Sequence, residues 1–199
     1  MSKSAEFIPT YILIGITVGI YIYTSLIGGN FLKTTSDIIY TFGQVNGLVI
    51  YAGSYYQIIT SIFIHGNIAH LFGNMLFLLI FGLRAEEFFS LPEYLIIFFL
   101  GGLTGNLFSL LLLPLNLPSV GASGAVFAVF GAITIYNKRT VGQSIAGALI
   151  YALLWLFLSS GPNVNNFAHI GGLFTGLVIG YVIAIRHSKK TKYTLSFSY

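Results

Sequence analysis

Two residues with the chemistry of acyl transfer stand where polar groups are rarely placed. Ser123 lies in the tetrapeptide Gly121-Ala122-Ser123-Gly124, in a stretch without charge between Glu93 and Lys138. His169 lies in a second such stretch, between Arg139 and Arg186. A hydroxyl and an imidazole can act as nucleophile and base when they meet within hydrogen-bond reach. Polar groups set in membrane sequence are costly, and an ionisable one is a functional candidate by default. His70 and Asn74 are four residues apart and so share one helical face. Both can donate hydrogen bonds, and facing Ser123 they would complete an oxyanion hole with its backbone N–H.

The elements that must position these groups are transmembrane helices. Of the 199 residues, 56% are apolar, 16% aromatic and 7% charged. A soluble domain carries about 25% charged residues. The chain therefore reads as an all-α, polytopic membrane protein, a single integral membrane domain over 1–199. Six apolar runs approach the roughly 20 residues needed to cross a bilayer. They are Ile8 to Gly28, Asn67 to Leu83, Glu93 to Leu113, Ser123 to Asn137, Gln143 to Leu158 and Phe167 to Ile185. The first is read as a retained span and not a removed signal peptide. Residues 29–66 form the first outer loop and 186–199 an inner tail. Within that loop, Ile38 to Ile58 is uncharged but interrupted by Thr41, Gly43, Gln44, Asn46 and Gly47, and reads as an interfacial or partly immersed segment.

Basic residues orient the bundle. With both termini cytoplasmic, Lys3, Arg84, Lys138, Arg139, Arg186, Lys189, Lys190 and Lys192 all lie inside, and Lys33 alone lies outside. The membrane is most simply a prokaryotic plasma membrane. At about 1.5 Å rise per residue, Ser123, His169 and His70 lie roughly 22, 25 and 21 Å above the inner boundary set by Lys138, Arg186 and Arg84. Three polar groups thus share one level in a core about 30 Å thick. The segment before Ser123 contains Pro114 and Pro118 and cannot be a regular helix. Such backbone at membrane depth needs protein or a water-filled cavity around it. Ser123 should therefore open a helix at the floor of a cavity facing the outer side. Small residues at four-residue spacing, Gly172/Gly176/Gly180 and Gly124/Ala128/Ala132, would let two helices approach closely.

Composition excludes several classes. Without cysteine there is no disulfide, thiolate or zinc–sulfur chemistry. No basic face is large enough for nucleic acid. A metal site from His65, His70 and His169 lacks a carboxylate at their depth, and no metal or cofactor is expected. A channel is disfavoured because the inner halves, such as Ala125 to Ile135 and Leu177 to Ile185, are almost purely apolar.

At this point the chain resembles the rhomboid family of intramembrane serine proteases. The run from His65 to Met75, with Gly66, Asn67, His70, Gly73 and Asn74, resembles the family's second-span motif, and Gly82 and Glu86 resemble the end of that span. Gly121 to Gly124 is the G-x-S-G motif. Ala168-His169-Ile170-Gly171-Gly172, followed by Gly176, resembles the family's A-H-x-x-G-x-x-x-G motif. The resemblance implies a six-helix fold and a serine endopeptidase with a Ser–His dyad, Ser123 as nucleophile and His169 as general base and acid. It implies His70 and Asn74 as oxyanion donors, His65 in a structural or accessory role and Asn166 lining the site. It implies transmembrane protein substrates, reached from the surrounding lipid and cut near the outer leaflet. Two positions depart from the pattern. Tyr56 and Gln57 stand where the family often has Trp-Arg in the first loop. Phe127 stands where a tyrosine packs on the catalytic histidine, keeping the ring for stacking on His169. The rival reading is a catalytically inactive rhomboid-like factor that binds membrane proteins.

Overall fold

The computed structural model describes residues 8–141 and 164–196. The apolar run from Gln143 to Leu158 lies outside the described residues. The remainder is a bundle of long helices with a folded first loop at one end.

Helix α1 spans Ile8–Gly28. Its threonines turn inward. Thr10, Thr17 and Thr24 repeat every seven residues on the buried side. Thr17 and Thr24 return their hydroxyls to the carbonyls of Leu13 and Ile20, which is how such side chains are satisfied inside an apolar helix. The first loop folds into α2 (Ser36–Phe42), β1 (Gln44–Val45), α3 (Asn46–Tyr51) and α4 (Gln57–Thr60). The uncharged segment from Ile38 to Ile58 folds as short helices around the buried amides of Gln44, Asn46 and Gln57.

Helix α5 (Ile68–Phe88) starts at Asn67, whose side chain accepts from the His70 N–H at 2.8 Å. Helix α6 (Leu91–Leu112) starts with a capping box of Ser90 and Glu93 and carries Pro92 in its first turn, where the missing N–H costs nothing. β2 (Pro118–Ser119) pairs antiparallel with β1, Gln44 opposite Ser119. Helix α7 is Ser123–Val141 and α8 is Asn166–Ser196.

Four helices are long and apolar enough to cross a membrane among the described residues: Ile8–Gly28, Ile68–Phe88, Leu91–Leu112 and Asn166–Ser188 of α8. Helix α7 is different in kind. It lies at the centre, and Ala125, Val126, Phe127, Ala128, Val129, Phe130, Ala132 and Ile133 are all buried. A helix apolar all round belongs to the inside of a bundle.

The small-residue ladders of α7 and α8 face each other rung by rung. A Cβ on Gly172 would lie 1.9 Å from the Gly124 carbonyl oxygen. One on Gly176 would lie 1.9 Å from the Ala128 oxygen, and one on Gly180 2.6 Å from Ala132. Backbones therefore touch along three turns. On the other side, Gly101 admits Ala128, whose Cβ would be 2.0 Å from a Cβ on that glycine.

The end of the bundle that carries Glu86 and His187 is braced by polar contacts between helices. The Glu86 carboxylate accepts from the Thr10 N–H at 2.9 Å and from the Thr10 hydroxyl. Glu86, near the end of α5, therefore caps the first turn of α1. His187 joins Glu93 at 3.1 Å and the Tyr136 hydroxyl at 3.0 Å, tying α8 to α6 and α7. The tail does not turn onto the surface directly after the span. Helix α8 continues to Ser196, 31 residues in all, or about 46 Å at 1.5 Å per residue, well beyond a hydrocarbon core of about 30 Å.

Candidate active site

The segment from Pro114 to Ala122 carries the chain down to Ser123. It is held on both sides. Gly47 N–H donates to Leu115 at 2.8 Å, and Gly121 N–H donates to the Ser61 carbonyl at 2.9 Å. Gly121 has φ +122°, and a Cβ there would lie 2.8 Å from Cε1 and 2.9 Å from Nε2 of His70. Only glycine fits that backbone and that space. The first turn of α7 is closed by Val126 N–H to the Ala122 carbonyl at 3.0 Å. The N–H groups before it point out of the helix start, where the dipole favours negative charge.

Ser123 and His169 meet. His169 Nε2 lies 2.8 Å from Ser123 Oγ. His169 is buried, 4% exposed, and Ser123 is half-buried. The imidazole stacks on Phe127, ring centroids 4.5 Å apart and planes at 22°. Nδ1 of His169 meets no hydrogen-bond acceptor among the described residues. The ring is thus held by Phe127 and by its helix, with no carboxylate behind it among the described residues.

His70 and Asn74 lie on the other side of Gly121. Asn74 Nδ2 donates to the His70 carbonyl at 2.9 Å and stands 3.9 Å from the place a Gly121 Cβ would occupy. Oδ1 of Asn74 is buried without a partner among the described residues. Both side chains therefore border the backbone that leads into Ser123.

His65 is 1% exposed. Its Nδ1 lies 3.2 Å from the Phe63 carbonyl, and its Nε2 accepts the Ala122 N–H at 3.4 Å. Its ring meets the His70 ring edge-on at 5.1 Å. Burial, and after it the neighbouring His70, push the His65 pKa down from 6.5 to about 3, partly opposed by the Phe63 carbonyl. Neutral His65 therefore carries its proton on Nδ1 and leaves Nε2 to accept. It holds the backbone one residue before Ser123 and does not face the Ser123–His169 pair with a hydrogen bond.

Asn166 is the first residue of α8, half-buried and engaged. The neighbouring Asn165 escapes the sequence reading. Its Oδ1 accepts from the Ala168 N–H at 3.1 Å, and its Nδ2 donates to Ser109 Oγ at 2.5 Å and Ser119 Oγ at 2.7 Å. An asparagine just before an apolar run is the signal that could have found it. A belt of buried amides continues from there. Asn46 Nδ2 donates to the carbonyls of Ser109 and Leu113 at 2.8 and 3.1 Å, closing the end of α6. Gln44 Nε2 donates to Asn46 Oδ1 and to the Asn106 carbonyl, both at 2.9 Å. Asn106 Nδ2 donates to the Ile58 carbonyl at 2.7 Å and to Ser61 Oγ at 2.9 Å. Gln57, at the departure from the family pattern, anchors the loop. Its Oε1 accepts from Val45 N–H at 3.0 Å, and its Nε2 donates to the Tyr40 carbonyl at 2.8 Å.

A bundle of membrane-length helices around a partly buried serine–histidine contact defines a class: integral membrane proteins with a polar site inside the helices. The comparisons narrow it. A family model described as "Rhomboid domain" matches residues 52–186. The chain is 37% identical over 139 residues to "RHOMBOID-like protein 4" of Arabidopsis thaliana, covering 66% of this chain and 34% of that protein. It is 32% identical over 174 residues to "Rhomboid protease GluP" of Bacillus subtilis (strain 168), covering 84% and 33%. It is 35% identical over 135 residues to "Rhomboid-like protease 3" of Toxoplasma gondii, covering 62% and 50%. The chain belongs to the rhomboid family. It spans about a third to a half of the length of these curated relatives.

Proposed function

We propose that this protein is an intramembrane serine endopeptidase that cuts transmembrane substrates near the outer leaflet, with Ser123 as nucleophile and His169 as general base and acid. The observation that carries the proposal is the 2.8 Å contact between His169 Nε2 and Ser123 Oγ inside a helical bundle. Protease-named relatives support the reaction class.

In this reading Nε2 of His169 takes the Ser123 proton as Oγ attacks the scissile carbonyl. The oxyanion develops at the start of α7, where the Ser123 N–H, His70 and Asn74 converge around Gly121. His169 then protonates the leaving amine. Water attacks the acyl group, its proton passing to His169, and Ser123 is regenerated. Phe127 replaces the orienting carboxylate of a triad with a packed ring face. Asn166 and His65 line and support the site, and no metal or cofactor enters the reaction.

The same proposal sets six spans around the site, with Gln143 to Leu158 supplying the fifth. It places a water-filled cavity open to the outer side, with both termini in the cytoplasm of a prokaryotic cell. The substrates are single-span proteins whose helices unwind near the outer leaflet, since the site lies below the outer surface and must be reached from lipid.

The test is cleavage of a model transmembrane substrate by the purified protein in liposomes, beside Ser123→Ala and His169→Ala. Cleavage by wild type alone supports the dyad. Cleavage undiminished in either variant, or absent with every substrate tried, favours the inactive, client-binding alternative or another nucleophile.

A further inference from the structure

We infer that Asn165 is a positioning residue that sets His169 against Ser123, an inference that rests on the reading of these two as a catalytic pair. A side-chain amide offers one acceptor oxygen and two N–H donors, and Asn165 uses each once on a different part of the site. Oδ1 caps the N–H of Ala168, the residue before His169. Nδ2 reaches Ser119, four residues before Ser123, and Ser109 near the end of α6. Ser109 in turn donates to the Gly105 carbonyl at 2.9 Å.

One side chain thus joins the helix that carries the histidine, the strand that leads to the serine, and α6. The Ala168 turn is confined from two further sides. Its carbonyl oxygen lies 2.6 Å from where a Cβ on Gly105 would stand and 3.2 Å from one on Gly124. The depth of the turn along the α7–α8 contact is therefore set by the ladder, and its height relative to Ser123 by Asn165. The imidazole is aimed by Phe127 and by the placement of this turn. A misplacement of about 1 Å can cost a hundredfold in rate without touching the reacting atoms.

The test uses Asn165→Ser, Asn165→Ala and Ser119→Ala in the full-length protein, with kcat and KM on the model transmembrane substrate and the thermal midpoint of each variant. Serine is also a good helix cap, but it cannot reach both partner hydroxyls. Asn165→Ser should still fold, with KM unchanged and a midpoint close to that of Ser119→Ala, while kcat falls about tenfold, the order expected of a small misplacement. Ser119→Ala should lower kcat in the same direction by less, and the double variant should show less than the summed loss, because both act through one hydrogen bond. Should Asn165→Ala fail to fold, the two milder variants still decide the matter. Wild-type kcat in Asn165→Ser and Ser119→Ala overturns the inference. So do kcat losses that simply follow lost stability. If wild type itself neither cleaves nor reacts at Ser123 with a serine-directed phosphonate, the catalytic pair fails first and this inference with it.

Discussion

Gly172 of α8 lies against the Gly124 carbonyl of α7 so closely that a Cβ on Gly172 would stand 1.9 Å from the oxygen. The obstacle is backbone, which cannot swing aside as a side chain can. This contact lies one residue after Ser123 and three after His169, so the helix spacing constrains the serine–histidine distance.

Gly172→Ala is therefore expected to destabilise at or above the upper end of the ~1–3 kcal/mol typical of overpacking, and to abolish activity in whatever protein still folds. Gly19→Ala is the control, since nothing lies within 4 Å of a Cβ there. The thermal midpoint in detergent should fall for the first and stay or rise for the second. Equal midpoints would show that α7 and α8 can part without cost.

Phe127 calls for a gentler substitution than alanine. It is fully buried in the core, and truncating such a residue to alanine costs about 3–5 kcal/mol, which would confuse fold with function. Phe127→Leu keeps most of the volume and removes the ring face. It should fold, keep KM, and lose about tenfold or more in kcat, within the range a misplaced catalytic group costs. Unchanged kcat would remove the stacking role.

His65 makes stability depend on pH. Its pKa is depressed from 6.5 to about 3 by burial first and by His70 second. The unfolded chain takes up this proton near pH 6.5, the folded chain only near 3. The contribution is thus fully present above about pH 6.5 and is lost as pH falls toward 3. The thermal midpoint of wild type should drop through that window more steeply than that of His65→Gln, which lacks the titrating group. Parallel curves would contradict the buried, neutral assignment.

Gln57 is fully buried and satisfies the Val45 N–H and the Tyr40 carbonyl. Gln57→Ala should leave the buried Val45 N–H unpaired, at about 1–3 kcal/mol for a buried polar group, and release the Tyr40 carbonyl. Limited proteolysis should then open the loop between Gly43 and Gln57 before the helices yield. Protection equal to wild type would mean that the loop is held by its other contacts.

These residues mark what the sequence could and could not disclose. Apolar length and four-residue glycine spacing are local properties, so α1, α5, α6, α8 and the two ladders can be read along the chain. The Ser123–His169 contact is within reach of the same reasoning, because helix rise converts position into depth. The first loop is not, since Gln44, Asn46 and Gln57 take their partners from α6, from β1 and from the loop's own carbonyls, and nothing in a linear pattern pairs them. Asn165 fails for the same reason: its cap is local, but Ser109 and Ser119 come from far along the chain. Glu86 and His187 look like surface groups until the helices that they brace, α1 and α6, stand beside them.

The most direct test of the central claim is reaction of the folded protein with a serine-directed fluorophosphonate, with the modified residue located by mass spectrometry. Modification is expected at Ser123 in wild type, at no serine in Ser123→Ala, and at a rate lowered by about a hundredfold or more in His169→Ala, the scale of a lost general base. Modification elsewhere, or at Ser123 with a rate indifferent to His169, would contradict that claim.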